Sequence, residues 1–322
     1  MYLNKFIVYI PTIDVSYRID SMTLRELRYL VALAEQRHFG RAARACHVSQ
    51  PTLSTQLKKL EDFLGATLFE RTNKALHITP IGEQVVARAR RVLAEADAIV
   101  ELTRQKSEPL SGPLNLGVIP TLSPYLLPWL LPVLGQAYPR LRLIVHEDLT
   151  DHLLARLKDH RIDAALLCLP VREEAFEAQA IFDEPFFLAS PPGHALSEAV
   201  AVRPSDLRKE PMLFLTEGHC LRDQTLAVCG LTAPPDDVEA ADFRATSLET
   251  IRQMVASGMG CTLLPAMALD KAKERPFEVR RLAVEASRRI GLVWRRTYPK
   301  AGDLYLLAEA VRRNLPPSVR AV

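Results

Sequence analysis

The chain contains no Cys-x-x-Cys pair and no His-x-x-x-His pair, so the usual spacings of a zinc site are absent and no metal or cofactor is expected. No apolar run approaches the roughly 20 residues that a membrane-spanning helix needs. The apolar stretch Phe6–Ile10 is too short for the core of a signal peptide and stops at Pro11. Cysteine is scarce, with 5 residues in 322, widely spaced and odd in number, which excludes a secreted disulfide framework and points to a reducing, cytoplasmic compartment. Neither sign of charge dominates, since 41 Lys and Arg face 38 Asp and Glu for a net of +3. The small excess is local. Between Met22 and Glu108 there are 14 basic and 10 acidic residues, whereas from Pro109 onward the count is 25 against 26. That tilt gives weak support for nucleic acid in the first third of the chain.

What is present suits a globular protein: 48% apolar and 25% charged residues, with length for two or three domains. Met22-Thr23-Leu24 reads as a natural start, and residues 1–21 read as an extension to which no function is assigned. Leu24, Leu27, Leu30, Val31 and Leu33 recur at helical spacing, predicting a first helix over 23–37. In the segment Phe39–Glu61, Ala42, Ala43 and Cys46 are small enough for close packing of one short helix on another, Ser49 suits a helix cap, and Pro51 suits its first turn. Beyond it Leu53, Leu57, Leu60 and Leu64 share one face, while Pro51, Thr55 and Lys58 point away, flanked by Thr52, Ser54 and Lys59. This is a helix-turn-helix with a polar recognition helix, in which Gln50 and the short hydroxyls suit base edges and the lysines suit phosphates. Two short apolar pieces around a polar turn, Leu68–Ile78, read as a hairpin wing whose Arg71 and Lys74 suit the DNA backbone.

From Pro80 to about Ser107 a helix on the order of 40 Å long is predicted. Val85, Ala89, Val92, Ala96 and Ile99 alternate spacings of four and three along it, a heptad seam that predicts pairing with a second copy. Such pairing would set two recognition helices on one duplex. Glu108–Pro113 reads as a hinge. Beyond it, strand and helix patterns alternate, including strands at Leu114–Ile119, Ala164–Leu169, Met212–Leu215 and Ile290–Trp294, which predicts a mostly parallel sheet covered by helices and two lobes with a cleft between them.

The segment Gly218-His219-Cys220-Leu221-Arg222-Asp223-Gln224 leads on to Cys229. His219 and Arg222 flank Cys220 and favour its thiolate, as does a place at a strand's carboxyl end and a helix N-terminus. On one continuous helix an offset of nine residues is about 13–14 Å of rise, whereas a disulfide tolerates only about 4.4–6.8 Å between Cα atoms. A bond between these sulfurs therefore requires the helix to unwind. The alternative is that both are small core residues, as Cys46, Cys168 and Cys261 are expected to be in their packed or apolar settings.

Phe39–Glu61, Leu68-Phe69-Glu70-Arg71 and Leu76-His77-Ile78-Thr79-Pro80-Ile81-Gly82 resemble the LysR-type transcriptional regulators, from about Met22 to near the end of the chain. The Cys220 segment, Cys229, Phe243–Arg252 and Gly260–Pro265 narrow the resemblance to the peroxide-sensing members. It implies an all-α winged helix-turn-helix DNA-binding domain over 22–79, a linker and dimerisation helix over 80–108, and an α/β regulatory domain over 109–322. That last domain has two Rossmann-like, periplasmic-binding-protein-like lobes, one of about 113–182 and 290–322 and the other of about 183–289. It further implies that Cys220 is oxidised by hydrogen peroxide and that Cys229 resolves it as a disulfide. The matching peroxide pocket is Thr121, Thr150, His219 and Arg288, or its neighbour Arg289, with Asp223 as a supporting partner. Promoter DNA, RNA polymerase, a cellular thiol reductant and a homodimer assembling to a homotetramer are the implied partners, in a nucleoid-associated cytoplasmic protein that is not an enzyme. The alternative function is a regulator that answers to a small metabolite in the cleft, with structural cysteines.

Overall fold

The protein is described by a computed structural model over residues 22–71, 76–103, 109–233, 247–270 and 277–322. Its contacts divide it into two units, Met1–Ile99 and Val100–Val322. The first unit holds α1 (Leu24–Gln36), α2 (Phe39–Ala45), α3 (Gln50–Leu64), the antiparallel strands β1 (Phe69–Arg71) and β2 (Leu76–Ile78), and most of α4 (Pro80–Thr103). Thr23 and Glu26 cap α1 reciprocally: the Glu26 carboxylate accepts from Thr23 N–H at 2.8 Å, and Glu26 N–H donates to Thr23 Oγ1 at 3.3 Å. Ser49 caps α3 by accepting from Thr52 N–H at 3.3 Å, with Pro51 in the first turn.

Leu27, Leu30 and Leu33 of α1 meet Ala42 and Ala43 of α2 and Leu53, Leu57 and Leu60 of α3 in one core. Leu64, predicted on the same face, is exposed because the helix ends at the left-handed Gly65 beside it. The opposite face of α3 carries Gln50, Pro51, Thr52, Thr55, Lys58 and Lys59, all exposed, with Ser54 half-buried. Along α4 the predicted seam is divided. Ala89 is buried in this unit's own core and Val85 packs against it, whereas Val92 and Ile99 are 45% and 66% exposed. The upper seam, Val85 and Ala89, thus packs on this unit's own core, whereas Val92 and Ile99 are exposed and Ala96 between them is half-buried.

The second unit comprises β3 (Gly112–Val118), α5 (Ser123–Ala137), β4 (Leu141–Glu147), α6 (Thr150–Lys158), β5 (Ala164–Leu169), β6 (Phe176–Ser190), β7 (Ala201–Val202), α7 (Pro204–Leu207), α8 (Cys220–Cys229), α9 (Leu248–Ala256), β8 (Thr262–Pro265), α10 (Met267–Asp270), β9 (Glu278–Leu282), β10 (Ser287–Arg295), α11 (Ala301–Arg313) and β11 (Arg320–Ala321). The strand order is β4-β3-β5-β10-β6-β9-β7, with β8 and β11 also on β6. The sheet is mixed rather than mostly parallel. β3 runs parallel to β4 and β5, but β10 and β6 run antiparallel to their neighbours. The reason lies in β6, which pairs with β10 through Pro185 and with β8 and β9 from Phe186 on, so one long strand leaves the first lobe and enters the second. Met212–Leu215, predicted as a strand, makes only isolated bridging contacts, such as Met212 with Cys261.

Glycine is required where α4 meets the wing. A Cβ on Gly82 would collide with the Leu68 carbonyl and lie 2.9 Å from Ile78 Cγ1. Gly→Ala inside a helix ordinarily stabilises by about 1 kcal/mol. Here overpacking, typically about 1–3 kcal/mol, opposes and exceeds that gain. Gly82→Ala is expected to lower stability in urea unfolding; a stabilised protein would contradict the close approach.

Candidate functional site

The thiol site is set by strand register. Arg288 on β10 lies directly opposite Glu184 on β6, and Arg289 lies opposite Asp183. Successive side chains alternate faces, so one ion pair points inward and the other outward. Arg288 is fully buried, with Nη2 2.7 Å and Nε 2.8 Å from Glu184 Oε2, whereas Arg289 is exposed and bonds Asp183 at 2.8 Å. Of the two arginines, Arg288 is the one that faces the interior. Ile290, two residues on and therefore on the Arg288 face, pairs with Cys168 of β5. The same face of the sheet thus presents a guanidinium and a thiol.

Arg288 is anchored from two sides. Its Nη1 donates to Thr121 Oγ1 at 2.8 Å and its Nη2 to the Thr121 carbonyl at 3.0 Å. Glu184 also accepts from the Met267 N–H at 2.8 Å, which ties the pair to the start of α10. Burial presses against the charge on Arg288, but Glu184 and the two nearby thiols hold its pKa above the usual guanidinium range.

Cys220 opens α8, and its Sγ lies 3.0 Å from Cys168 Sγ. Sequence reasoning assigned Cys168 to the core, because Ala164–Leu169 is an apolar run; only the register reveals that it faces Arg288 and the first turn of α8. The hydrogen bond from Cys220 lowers the Cys168 thiol to about 7 against the opposing effect of burial, with help from Arg288 and the Gln224 side chain. Cys220 moves the other way: its bond to Cys168, then burial, raise its pKa. The two sulfurs thus form one coupled pair that shares a single proton once the other is lost, beside a buried cation. Arg222 is not the cation that faces them. It is turned to Glu217 at 3.7 Å and Asp223 at 3.6 Å, whereas Arg288 acts on both sulfurs.

Of the other predicted pocket residues, His219 is buried at the N-cap of α8 and Thr121 is buried on Arg288. Neither Thr121 nor Thr150 is a helix cap: Leu122 and Leu149 hold those positions. Thr150 begins α6, and among the described residues its buried Oγ1 has no hydrogen-bond partner. Gly218, at φ 89°, brings the two loops together, since a Cβ there would lie 2.8 Å from Leu149 Cδ1. The Leu149–Thr150 turn therefore rests on the residues that precede Cys220. Asp223 does not join them. Its side chain is 79% exposed and is turned to Arg222. Two further residues escaped the sequence reading. Glu184 was signalled only by the facing pairs Asp183-Glu184 and Arg288-Arg289, and Gln224, though part of the Cys220 segment, carried no sign of its own role.

Cys229 closes α8 and is buried among Met212, Phe214, Leu226, Cys261 and Leu263, a cluster separate from the one on which Cys220 packs. Burial raises its pKa, and burial with the Glu210 charge pushes Cys261 to about 12. Among the described residues no group of His, Cys, Asp and Glu is arranged to hold a metal, and no helix is long and apolar enough to cross a membrane. In the first unit, the predicted DNA contacts Ser49, Gln50, Pro51, Thr52, Ser54, Thr55, Lys58 and Lys59 lie together on the solvent side of α3, although Ser49 and Thr52 hydroxyls bond each other at 2.7 Å. Arg71 ends β1, and Lys74 lies outside the described residues.

A winged helix-turn-helix unit and a two-lobed unit with a buried thiol site define a bacterial regulator. The LysR substrate binding domain family matches residues 107–316, and the family of bacterial regulatory helix-turn-helix proteins of lysR type matches residues 24–83. The chain belongs to the LysR family. Its relatives within that family include OxyR proteins. It is 46% identical over 296 residues to the DNA-binding transcriptional dual regulator OxyR of Escherichia coli, covering 91% of this chain and 96% of that one. A full-length OxyR from Pseudomonas aeruginosa with a cysteine-to-aspartate substitution superposes with a TM-score of 0.79 at 40% identity, over 91% of this chain and 99% of that one. A hydrogen-peroxide-bound OxyR from Corynebacterium glutamicum, carrying a cysteine-to-serine substitution, gives 0.61 at 34% identity, over 91% and 92%.

Two outcomes follow from the site. Glu184→Ala strands a buried guanidinium and is expected to cost about 3–5 kcal/mol in urea unfolding, with the Glu184→Ala/Arg288→Met double variant costing less than the two single variants summed. Additivity would mean that the two do not interact. Ultraviolet titration of the reduced protein should reveal one thiolate forming as pH rises through about 7. Cys220→Ala removes the donor and should shift that step upward; an unmoved step would contradict the sulfur–sulfur hydrogen bond.

Proposed function

We propose that this chain is a DNA-binding transcription regulator that senses hydrogen peroxide at Cys220 and is switched by a Cys220–Cys229 disulfide. The observation that carries the reading is Cys220 at the N-terminus of α8, 3.0 Å from a second thiol and beside a buried arginine, with Cys229 at the far end of the same helix. The likeness to OxyR proteins, among them a peroxide-bound one, supports it.

The chemistry follows from the groups. With the shared proton on Cys168, Cys220 is the thiolate and attacks one peroxide oxygen. Thr150, whose hydroxyl has no other partner among the described residues, Thr121 and His219 bind the peroxide, and Arg288 stabilises the charge that develops on the leaving oxygen. Cys220 becomes a sulfenic acid. Cys229 reaches it only when α8 unwinds, leaving behind the buried contacts of Leu226 and Cys229. The regulatory unit then adopts a second packing that respaces the DNA-binding units, a two-state element biased by one covalent event.

We assign residues 22–79 to DNA binding, 80–108 to the dimerisation helix and 109–322 to redox sensing, in lobes of about 113–182 with 290–322 and about 183–289. Gln50 and the hydroxyls of Ser49, Thr52, Ser54 and Thr55 read base edges, with Pro51 on the same DNA-facing surface; Lys58, Lys59, Arg71 and Lys74 hold phosphates. Val92, Ala96 and Ile99 meet a second copy, and the dimers assemble to a tetramer that works with RNA polymerase in the cytoplasm, at the nucleoid. A cellular thiol reductant resets the disulfide. The protein is oxidised once per signal and is a regulator, not an enzyme.

Peroxide should change promoter binding by the wild-type protein and leave the Cys220→Ser variant unaffected. A variant that still responds would turn the reading toward a metabolite in the cleft. Lys58→Ala and Lys59→Ala should each weaken DNA binding and reduce the slope of log affinity against log salt by roughly 0.9. Unchanged slopes would remove these lysines from the phosphate contacts.

A further inference from the structure

We propose that Cys168 is a second resolving thiol for Cys220, forming a Cys168–Cys220 disulfide while α8 stays folded; this rests on peroxide oxidation of Cys220. Three observations carry it. The two sulfurs are already 3.0 Å apart, so an S–S bond near 2.05 Å requires an approach of about 1 Å. Cys229 starts from the opposite end of α8, about 13–14 Å along the helix axis. The two candidate partners also sit in different clusters, Cys168 in the core on which Cys220 packs and Cys229 in the other. Bonding to Cys168 therefore breaks neither the helix nor a cluster, and bonding to Cys229 breaks both.

The steps balance. The Cys220 thiolate attacks peroxide, the O–O bond breaks, and the sulfur takes the hydroxyl as a sulfenic acid while hydroxide leaves. That hydroxide takes the proton from Cys168 and departs as the first water. The Cys168 thiolate attacks Cys220 Sγ, the S–O bond breaks, and the second hydroxide takes a proton from solvent. Two sulfurs have lost two electrons and one peroxide has gained them. Arg288 favours the anion on Cys168 that this attack needs. Cys261 has no such part, since it lies against His194 Nε2 at 3.8 Å in the other cluster. The local bond protects Cys220 from further oxidation while the helix is still wound, and Cys229 then displaces Cys168 by thiol–disulfide exchange when α8 opens.

The test uses the full-length protein with Cys229→Ala, which keeps Cys168 and its packing intact. One equivalent of hydrogen peroxide is followed by thiol alkylation, a dimedone probe for sulfenic acid, and peptide mass mapping. The expected product in most chains is a Cys168–Cys220 cross-link that dithiothreitol reverses, with helical circular dichroism retained. Adding Cys168→Ala should remove the cross-link and leave Cys220 as a dimedone adduct. A dimedone adduct on Cys220 with Cys168 alkylated, in the Cys229→Ala protein, overturns the second disulfide and leaves peroxide sensing standing. Both thiols alkylated, with no adduct, overturns both readings. If Cys229→Ala does not fold, the wild-type protein quenched at successive times replaces it. A Cys168–Cys220 cross-link among the early products supports the proposal, and its absence at every time overturns it.

Discussion

A guanidinium without access to water must find all its partners inside the protein, and the thiol site is organised by how Arg288 does so. Its charge is met by Glu184 across two strands, and its remaining donors reach Thr121. That requirement fixes β10 against β6, orients the loop before α5, and, through Met267 N–H on Glu184, ties in the start of α10. The same cation then acts on two thiols. A buried ion pair rarely adds much net stability. Its value here is a fixed positive charge beside a sulfur, at a position set by sheet register rather than by a mobile side chain.

Helix α8 supplies the second constraint. It is held by Leu221, Thr225, Leu226 and Cys229, all buried, and it ends at Gly230 in the left-handed conformation. Its two ends carry cysteines in different apolar clusters, so reduced and disulfide-bonded forms cannot share one packing. Taking Leu226 out of its cluster costs about 1.5–3 kcal/mol, and the covalent bond must offset that along with the lost helix. The adjacent Cys168 adds a bond that makes no such demand. The chain thus holds a local and a remote partner for one oxidised sulfur, distinguished by whether the helix survives.

Much of this was legible in the sequence, and the exceptions are instructive. The helix-turn-helix followed from leucines at helical spacing and a Ser–x–Pro cap, because local patterns decide local helices. The separation of Cys220 from Cys229 followed from their nine-residue offset, since helical rise is fixed. Sheet polarity did not follow: alternation of strands and helices suggested parallel pairing, and nothing in Phe176–Ser190 announces one strand serving two lobes. Cys168 was hidden for the same reason. Its facing of Arg288 depends on a pairing between residues 168 and 290, which no local pattern encodes. Asp223 failed differently. Its nearness to Cys220 in the chain suggested a pocket partner, but its side chain is exposed and turned to Arg222. On α4, Val85 and Ala89 of the expected seam pack on the first unit's own core, since an apolar stripe does not say whose core it covers.

The central claim is that the disulfide between Cys220 and Cys229 and a folded α8 exclude each other. Amide hydrogen exchange across residues 220–229, compared between the reduced protein and protein carrying that disulfide, tests it most directly. The account predicts that amides protected in the reduced form exchange freely once the bond has formed. Undiminished protection with the Cys220–Cys229 bond in place would contradict it.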